Sequence, residues 1–144
     1  MKVLITGTSG QLGKRIKDYA PMNIKLLTPL RSELNLENYI SCKEYIYDNK
    51  PDWIINCAAY TNVEKAEKEK ELAYNINALA PIAFVEVINK IKGKILHISS
   101  DYVFNGKAKK PYEEIDPLDP INSYGYSKAI GEKLICKNIN DINK

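Results

Sequence analysis

A chain of 144 residues suffices for one domain that buries roughly two-thirds of its unfolded surface. With 44% hydrophobic and 27% charged residues it is an ordinary globular sequence, neither disordered nor fibrous. The net charge of +3, from lysines spread along the chain, reads as solvated surface charge and not as a nucleic-acid patch.

Lys2-Val-Leu-Ile-Thr6 is a short apolar run ending at Gly7, the pattern of a parallel strand covered on both faces. No charged-then-apolar leader precedes it, and no apolar run approaches the ~20 residues of a membrane span, so a cytoplasmic protein is expected. Helical spacing follows from about Gln11 to Tyr19, stopped by Pro21. Ile24-Lys-Leu-Leu-Thr28 reads as a second strand closed by Pro29, and Glu33-Leu-Asn-Leu36 as a short third. Tyr39 to Asn49 has helical period and is broken by Lys50-Pro51-Asp52. Trp53-Ile-Ile-Asn-Cys57 is the next buried strand and runs into Ala58-Ala-Tyr-Thr61.

A charged stretch, Glu64 to Glu71, leads into a long helical pattern over Leu72–Ile91, which Pro81 should kink or divide. Lys94-Ile-Leu-His-Ile-Ser99 reads as a fifth strand. Asp101–Asn122, rich in Pro, Lys, Asp and Tyr, reads as a long loop of the kind that is usually functional. A last helix is predicted from about Ser123 to Lys137. The alternation predicts an α/β fold of Rossmann type: a doubly wound parallel sheet of about five strands, order 3-2-1-4-5. Its fifth strand would be an uncovered edge, which points to self-association or a missing partner segment.

Gly7-Thr-Ser-Gly10-Gln-Leu-Gly13 lies directly after a strand and opens a helix, where a dinucleotide fingerprint must lie. Gly7 serves the tight turn, Gly10 the approach of the pyrophosphate, and Gly13 the helix–strand packing. No acidic residue stands where NAD enzymes bind the ribose 2′-OH; Thr28-Pro-Leu-Arg31 stands there instead. Arg31 is a candidate partner for a 2′-phosphate and Lys14 adds positive charge nearby, so NADP(H) is favoured with NAD(H) possible. Ala58 and Ala59, on the same carboxyl-end rim, leave room for the adenosine and ribose portions, and Tyr60 is placed to line the nicotinamide half.

Ser99-Ser100-Asp101 ends the fifth strand, and Tyr124 begins the helix after it. Tyr124 and Lys128 are four apart and share a helix face. A free phenol has a pKa of ~10, and a neighbouring ammonium lowers it. Tyr124 is then a general acid for a carbonyl oxygen, Lys128 tunes it and bonds the ribose, and Ser100 holds the substrate oxygen. His97, between Leu96 and Ile98 within a strand, reads as a buried structural residue rather than a catalyst or ligand. Cys42, Cys57 and Cys136 are widely spaced, without CxxC pairing, and read as buried or incidental thiols; no metal site is expected.

These motifs resemble the extended short-chain dehydrogenase/reductases and, within them, the dTDP-4-dehydrorhamnose reductase family. The resemblance rests on the glycine loop, Asn56-Cys-Ala-Ala-Tyr-Thr61, Val63, Ala66-Glu67 and Asn75-Ile-Asn77. It continues in Ser99-Ser-Asp-Tyr-Val-Phe-Asn-Gly106, Pro111-Tyr-Glu-Glu-Ile-Asp116 and Tyr124-Gly-Tyr-Ser-Lys-Ala-Ile-Gly-Glu132. It implies Ser100, Tyr124 and Lys128 as catalytic residues. It implies cofactor contacts from Gly7, Gly10, Gln11, Leu12, Gly13, Arg31, Asn35, Leu36, Ala58, Ala59, Tyr60, Tyr124 and Lys128. Val63, Tyr102 and Phe104 would line the substrate side, with a dTDP-4-keto-6-deoxyhexose as substrate.

The family usually has Thr at the position of Ser100, and often Asp near Asn35. It also continues into a further strand and a smaller domain that closes over the sugar nucleotide. Residues 1–144 are therefore expected to be a single NAD(P)-binding Rossmann domain without its substrate domain. Two other functions fit the same residues: a non-catalytic NAD(P)-binding regulatory or interaction module, and an epimerase or dehydratase acting on another nucleotide sugar. Asp101 lacks the glutamate–lysine pattern usual beside it in dehydratases.

Overall fold

The computed structural model describes residues 1–139, so the last five residues of the expected domain lie outside the described residues. Four parallel strands, β1 (Lys2–Thr6), β2 (Lys25–Leu27), β3 (Trp53–Asn56) and β4 (Lys94–His97), form one sheet in the order β2-β1-β3-β4. Leu4 pairs with Leu27 on one side and Ile54 on the other, and Ile55 pairs with Leu96. The central strands carry the least polar sequences because both of their faces are covered: Leu4, Ile5 and Ile54 are fully buried.

The predicted third strand does not form. Over Leu30–Asn38 the chain turns repeatedly: the Leu30 carbonyl accepts from the N–H groups of Glu33 and Leu34, both at 3.0 Å. Asn35 Oδ1 then accepts from the Glu37 N–H at 3.1 Å. These local side-chain and turn bonds supply what a ladder would have supplied, as asparagine favours. Leu34 still reaches the core, which is the signal that had suggested a strand. The remaining order matches the predicted one with its outermost member removed.

Helices α1 (Gln11–Asp18), α2 (Tyr39–Asn49), α3 (Val63–Ala66), α4 (Lys70–Tyr74), α5 (Ala80–Lys90) and α6 (Ser123–Asn138) fill the connections. Helix α2 ends at Lys50, a left-handed residue at φ 44°, before Pro51. Between α4 and α5 lies a π-helical turn, Asn75–Leu79, with Pro81 in the first turn of α5. Pro81 has no N–H for the Asn77 carbonyl four residues back, so the predicted kink is realised as this wider turn just before the proline. Counted through that turn, Lys70–Lys90 is long and apolar enough, by length and composition alone, to cross a membrane. In this fold it is a core helix, with Phe84, Val85 and Ile88 fully buried.

Helices α2 and α5 pack against each other, and Phe84 and Ile88 join Leu4, Ile46 and Ile54 in the main core. Helix α6 packs on α5, α4 and the π-turn, close enough that a Cβ on Gly131 would strike the Asn77 carbonyl. Strand β4 is an edge among the described residues, and Leu96 on it is 48% exposed. The thiols follow burial: Cys42 is buried, with its pKa pushed up to about 12 by desolvation, and Cys136 is exposed on α6.

Candidate active site

All four parallel strands end on one rim, and the functional side chains gather there. Gly7 leaves β1 at φ 71°, and a Cβ on it would lie 2.7 Å from the Ala58 backbone nitrogen. Only glycine fits that turn. A Cβ on Gly13 would strike the Gly7 carbonyl, so α1 starts directly against the loop. The N-cap of α1 is Gly10, which makes no side-chain capping bond. The first-turn N–H groups of an eight-residue helix thus have no capping side chain to compete with an anion.

Beside this loop lies a cleft of about 580 Å³. Of the predicted cofactor residues, Gly7, Gly10, Arg31, Asn35, Leu36, Ala58 and Ala59 line it. Gln11, Leu12 and Gly13 stand in the first turn of α1 outside its lining, and Leu12 is largely exposed. An open helix N-terminus, a glycine turn and two alanines facing a cleft of this size fit a dinucleotide.

Glu37 also lines the cleft, and its carboxylate pairs with the Arg31 guanidinium. The sequence reading missed it, because a strand over residues 33–36 would have carried it away. Its position 24 residues after Gly13 was the available signal. The cleft therefore offers both a cation for a 2′-phosphate and a carboxylate for ribose hydroxyls.

The second half of the rim belongs to α6. Asn122 caps the helix, its side chain accepting from the Gly125 N–H at 2.7 Å. A Cβ on Gly125 would strike the Tyr102 carbonyl, so the helix start lies flat on the 3-10 turn Asp101–Val103. Tyr124 is thereby buried, with Tyr60, Val63, Ala66 and Ala73 around it. The Tyr102 ring meets it edge-on, centroids 5.5 Å apart. Tyr60, Val63, Tyr102 and Tyr124 are thus brought together. Phe104 instead stacks on Tyr112 at 4.3 Å, within the long loop.

Lys128, one turn after Tyr124, is 1% exposed. Its Nζ donates to the Ile98 carbonyl at 2.6 Å and lies 3.3 Å from His97 Nε2. Burial lowers its pKa to about 8, against the raising effect of the Glu132 carboxylate. Ser100 caps the 3-10 turn: its hydroxyl accepts from the Tyr102 N–H at 3.2 Å and donates to Asp101 Oδ1 at 3.3 Å. The Tyr60 hydroxyl donates to Glu69 at 2.5 Å, and that bond, with burial, raises its pKa to about 12.

One buried side chain ties the two halves. Asn77, in the π-turn, accepts from the Tyr60 N–H at 2.8 Å and donates to the Tyr60 carbonyl at 3.0 Å and to the Ser127 hydroxyl at 2.9 Å. Ser127 in turn donates to the Tyr124 carbonyl at 2.7 Å. The sequence showed Asn75-Ile-Asn77 as a motif without a role; the structure makes Asn77 a bracket between the end of β3 and the helix bearing Tyr124 and Lys128.

A family model described as the RmlD substrate binding domain matches residues 1–143. The spore coat polysaccharide biosynthesis protein SpsK of Bacillus subtilis is 38% identical over 135 residues, covering 93% of this chain and 48% of that protein. The crystal structure of a dTDP-4-dehydrorhamnose reductase from Clostridium acetobutylicum superposes with a TM-score of 0.91 at 37% identity, over 96% of this chain and 50% of that one. The dTDP-4-dehydrorhamnose reductase of Bacillus anthracis, solved in complex with NADP, superposes at 0.90 with 36% identity and the same coverage. The chain spans about half the length of the relatives it matches.

Proposed function

This chain belongs to the RmlD substrate binding domain family, and from that premise we propose that it is the cofactor-holding, proton-donating part of an NADPH-dependent reductase. The substrate is the 4-keto group of a dTDP-4-dehydro-6-deoxy sugar, as in dTDP-rhamnose formation, and the setting is cytoplasmic. The observation that carries the reading is the rim itself. Tyr124 and Lys128, one turn apart and both buried on α6, stand at the same strand ends as the Gly7 turn and its cleft.

The glycine loop and the open end of α1 take the pyrophosphate, the cleft takes the adenosine half, and Arg31 engages a 2′-phosphate. Nicotinamide, when bound, supplies the hydride. Tyr124 gives its hydroxyl proton to the carbonyl oxygen, and the Lys128 ammonium favours the phenolate left behind. Ser100 holds the same carbonyl oxygen, exchanging its present bond to Asp101 for one to substrate. Val63 and Tyr102 bound the substrate side, with Phe104 further out on the loop. The names of the relatives support the sugar nucleotide as substrate class.

The test is titration with NADPH and NADH, followed by nicotinamide fluorescence, then addition of dTDP-4-keto-6-deoxy-L-mannose. Tighter binding of NADPH and its consumption on adding the sugar are expected. Equal, negligible responses to both nucleotides would end the cofactor assignment. Binding without turnover would make the chain a non-catalytic nucleotide-binding module.

A further inference from the structure

Lys128 is buried on α6, and its immediate neighbours do little to hold a charge there. Its Nζ donates to the Ile98 carbonyl at 2.6 Å, and His97 Nε2 lies 3.3 Å away. The imidazole offers that nitrogen no lone pair. The Thr6 hydroxyl donates to Asn56 Oδ1 at 2.5 Å, which turns Asn56 Nδ2 toward His97 Nδ1, 2.9 Å away. An amide nitrogen only donates, so Nδ1 accepts and the neutral ring presents its N–H at Nε2. Burial, and after it the charge of Lys128, keeps that ring neutral, its pKa pushed down to about 3. A donor facing a buried ammonium opposes its charge.

The opposite influence comes from one turn further along the same helix. Glu132 follows Lys128 by four residues, so both project from one face of α6. The carboxylate does not swing free: it accepts a hydrogen bond from the Ser99 hydroxyl, just past the end of β4. Ser99 is the next residue after Ile98, whose carbonyl takes the ammonium, so one stretch of backbone anchors both side chains. Glu132 is half-buried, and its charge raises the Lys128 pKa against the larger effect of desolvation.

We propose that Glu132 is a positioning residue that acts through Lys128: its carboxylate, fixed by Ser99, keeps the buried nitrogen an ammonium at neutral pH. Its part in catalysis rests on the reading proposed above, in which that ammonium favours the Tyr124 phenolate; the electrostatic link itself does not. Tyr124 stands one turn before Lys128 on the same helix. The other carboxylates on elements packed against α6 have partners of their own. Glu67 of α3 accepts from Ser123, Asp101 of the 3-10 turn from Ser100, and Glu86 of α5 from Lys43. Glu64, Lys65, Lys70 and Glu71 of α3 and α4, Lys90 of α5, and Lys133 and Lys137 of α6 are exposed to water, which screens them.

The test is NMR titration of the chain labelled with ¹³C at lysine Cε, with the Lys128 resonance assigned by its loss in Lys128→Met. The wild-type midpoint is expected near 8. Glutamine keeps an oxygen for the Ser99 hydroxyl and drops only the charge, whereas alanine drops both. The midpoint should fall in Glu132→Gln and Glu132→Ala alike, by about half a unit or more, a roughly threefold loss of proton affinity. Glu67→Gln, which removes a charge beside the start of α6, should leave it in place. An unchanged midpoint in Glu132→Gln would overturn the inference, and so would an equal fall in Glu67→Gln, the mark of net charge alone. A fall confined to Glu132→Ala would overturn it too, since the bond to Ser99 and not the charge would then be what matters. Should one Glu132 variant not fold, the other decides together with Glu67→Gln. No nucleotide or sugar enters the measurement, so a failure to bind NADPH removes the reductase reading without touching this result, and the converse holds as well.

Discussion

Glu67, at the end of α3, accepts two hydrogen bonds from Ser123, from its N–H at 2.7 Å and its hydroxyl at 2.8 Å. The first residue of α6 is thus held immediately before Tyr124 by a carboxylate 56 residues earlier in the chain. These bonds, the backbone one foremost, lower the Glu67 pKa from its ordinary 4.5. A carboxylate with a depressed folded-state pKa stabilises the fold above its unfolded value, and that contribution is lost as pH falls below 4.5 through the lowered one. Glu67→Gln should lose part of the acid dependence of Tm while keeping the fold at pH 7. Parallel acid melting curves for wild type and variant would remove this role.

Asn77 is 1% exposed and makes three bonds to two elements. Asn77→Ala leaves the Tyr60 N–H and carbonyl and the Ser127 hydroxyl without this partner. Ser127 keeps its bond to the Tyr124 carbonyl, which leaves the two Tyr60 groups unsatisfied at about 1–3 kcal/mol each, so a loss of roughly 2–6 kcal/mol is expected in urea unfolding. The bracket has little energetic weight if the measured loss stays below about 0.5 kcal/mol.

Arg31 and Glu37 pair with each other and both line the cleft; under the proposed reading they would set a nucleotide preference, because the cation suits a 2′-phosphate and the carboxylate repels one. Arg31→Ala should weaken NADPH about tenfold and NADH much less, shrinking the ratio of the two dissociation constants. Glu37→Gln should shift the same ratio toward NADPH. Identical losses for both nucleotides in Arg31→Ala would mean the guanidinium is no phosphate ligand.

Tyr124→Phe deletes one oxygen and keeps the ring that packs between Tyr60, Val63 and Tyr102. Reduction should fall by about 10²–10⁴-fold, the usual worth of a positioned general acid, with NADPH affinity and Tm nearly unchanged. Stopped-flow single turnovers and fluorescence binding check the two halves. Loss of binding alongside rate would assign the hydroxyl a structural part.

Much of this arrangement was legible in residue order. The apolar runs ending at Gly7, Cys57 and Ser99 fixed three strand ends on one rim, and the Tyr124–Lys128 spacing put both side chains on one face of α6. What escaped depended on partners far apart in sequence. Asn77 and Ser127 are 50 residues apart, and His97 and Lys128 are 31 apart; neither relation has a local pattern. Leu34 misled for a physical reason: a leucine reaching the core from a turn has the same sequence signature as one in a strand. Glu37 was lost with it, since the turn at Asn35 is what returns that carboxylate to the cleft.

Lys128 carries a final consequence for stability. Its folded-state pKa of about 8 lies below the ordinary 10.5, with desolvation the leading cause. Between those values the unfolded chain binds a proton that the folded one has released, so stability rises with pH through that window. At pH 7 the buried charge costs up to about 3 kcal/mol relative to an unperturbed lysine. Lys128→Met keeps the length and removes the charge, so it should match or exceed wild-type stability at pH 7 and lose its advantage toward pH 10. Chemical unfolding at pH 7 and pH 9.5 measures the difference. A gap between the two proteins that does not move with pH would mean the ammonium is solvated, and the account of a desolvated lysine nitrogen would fall with it.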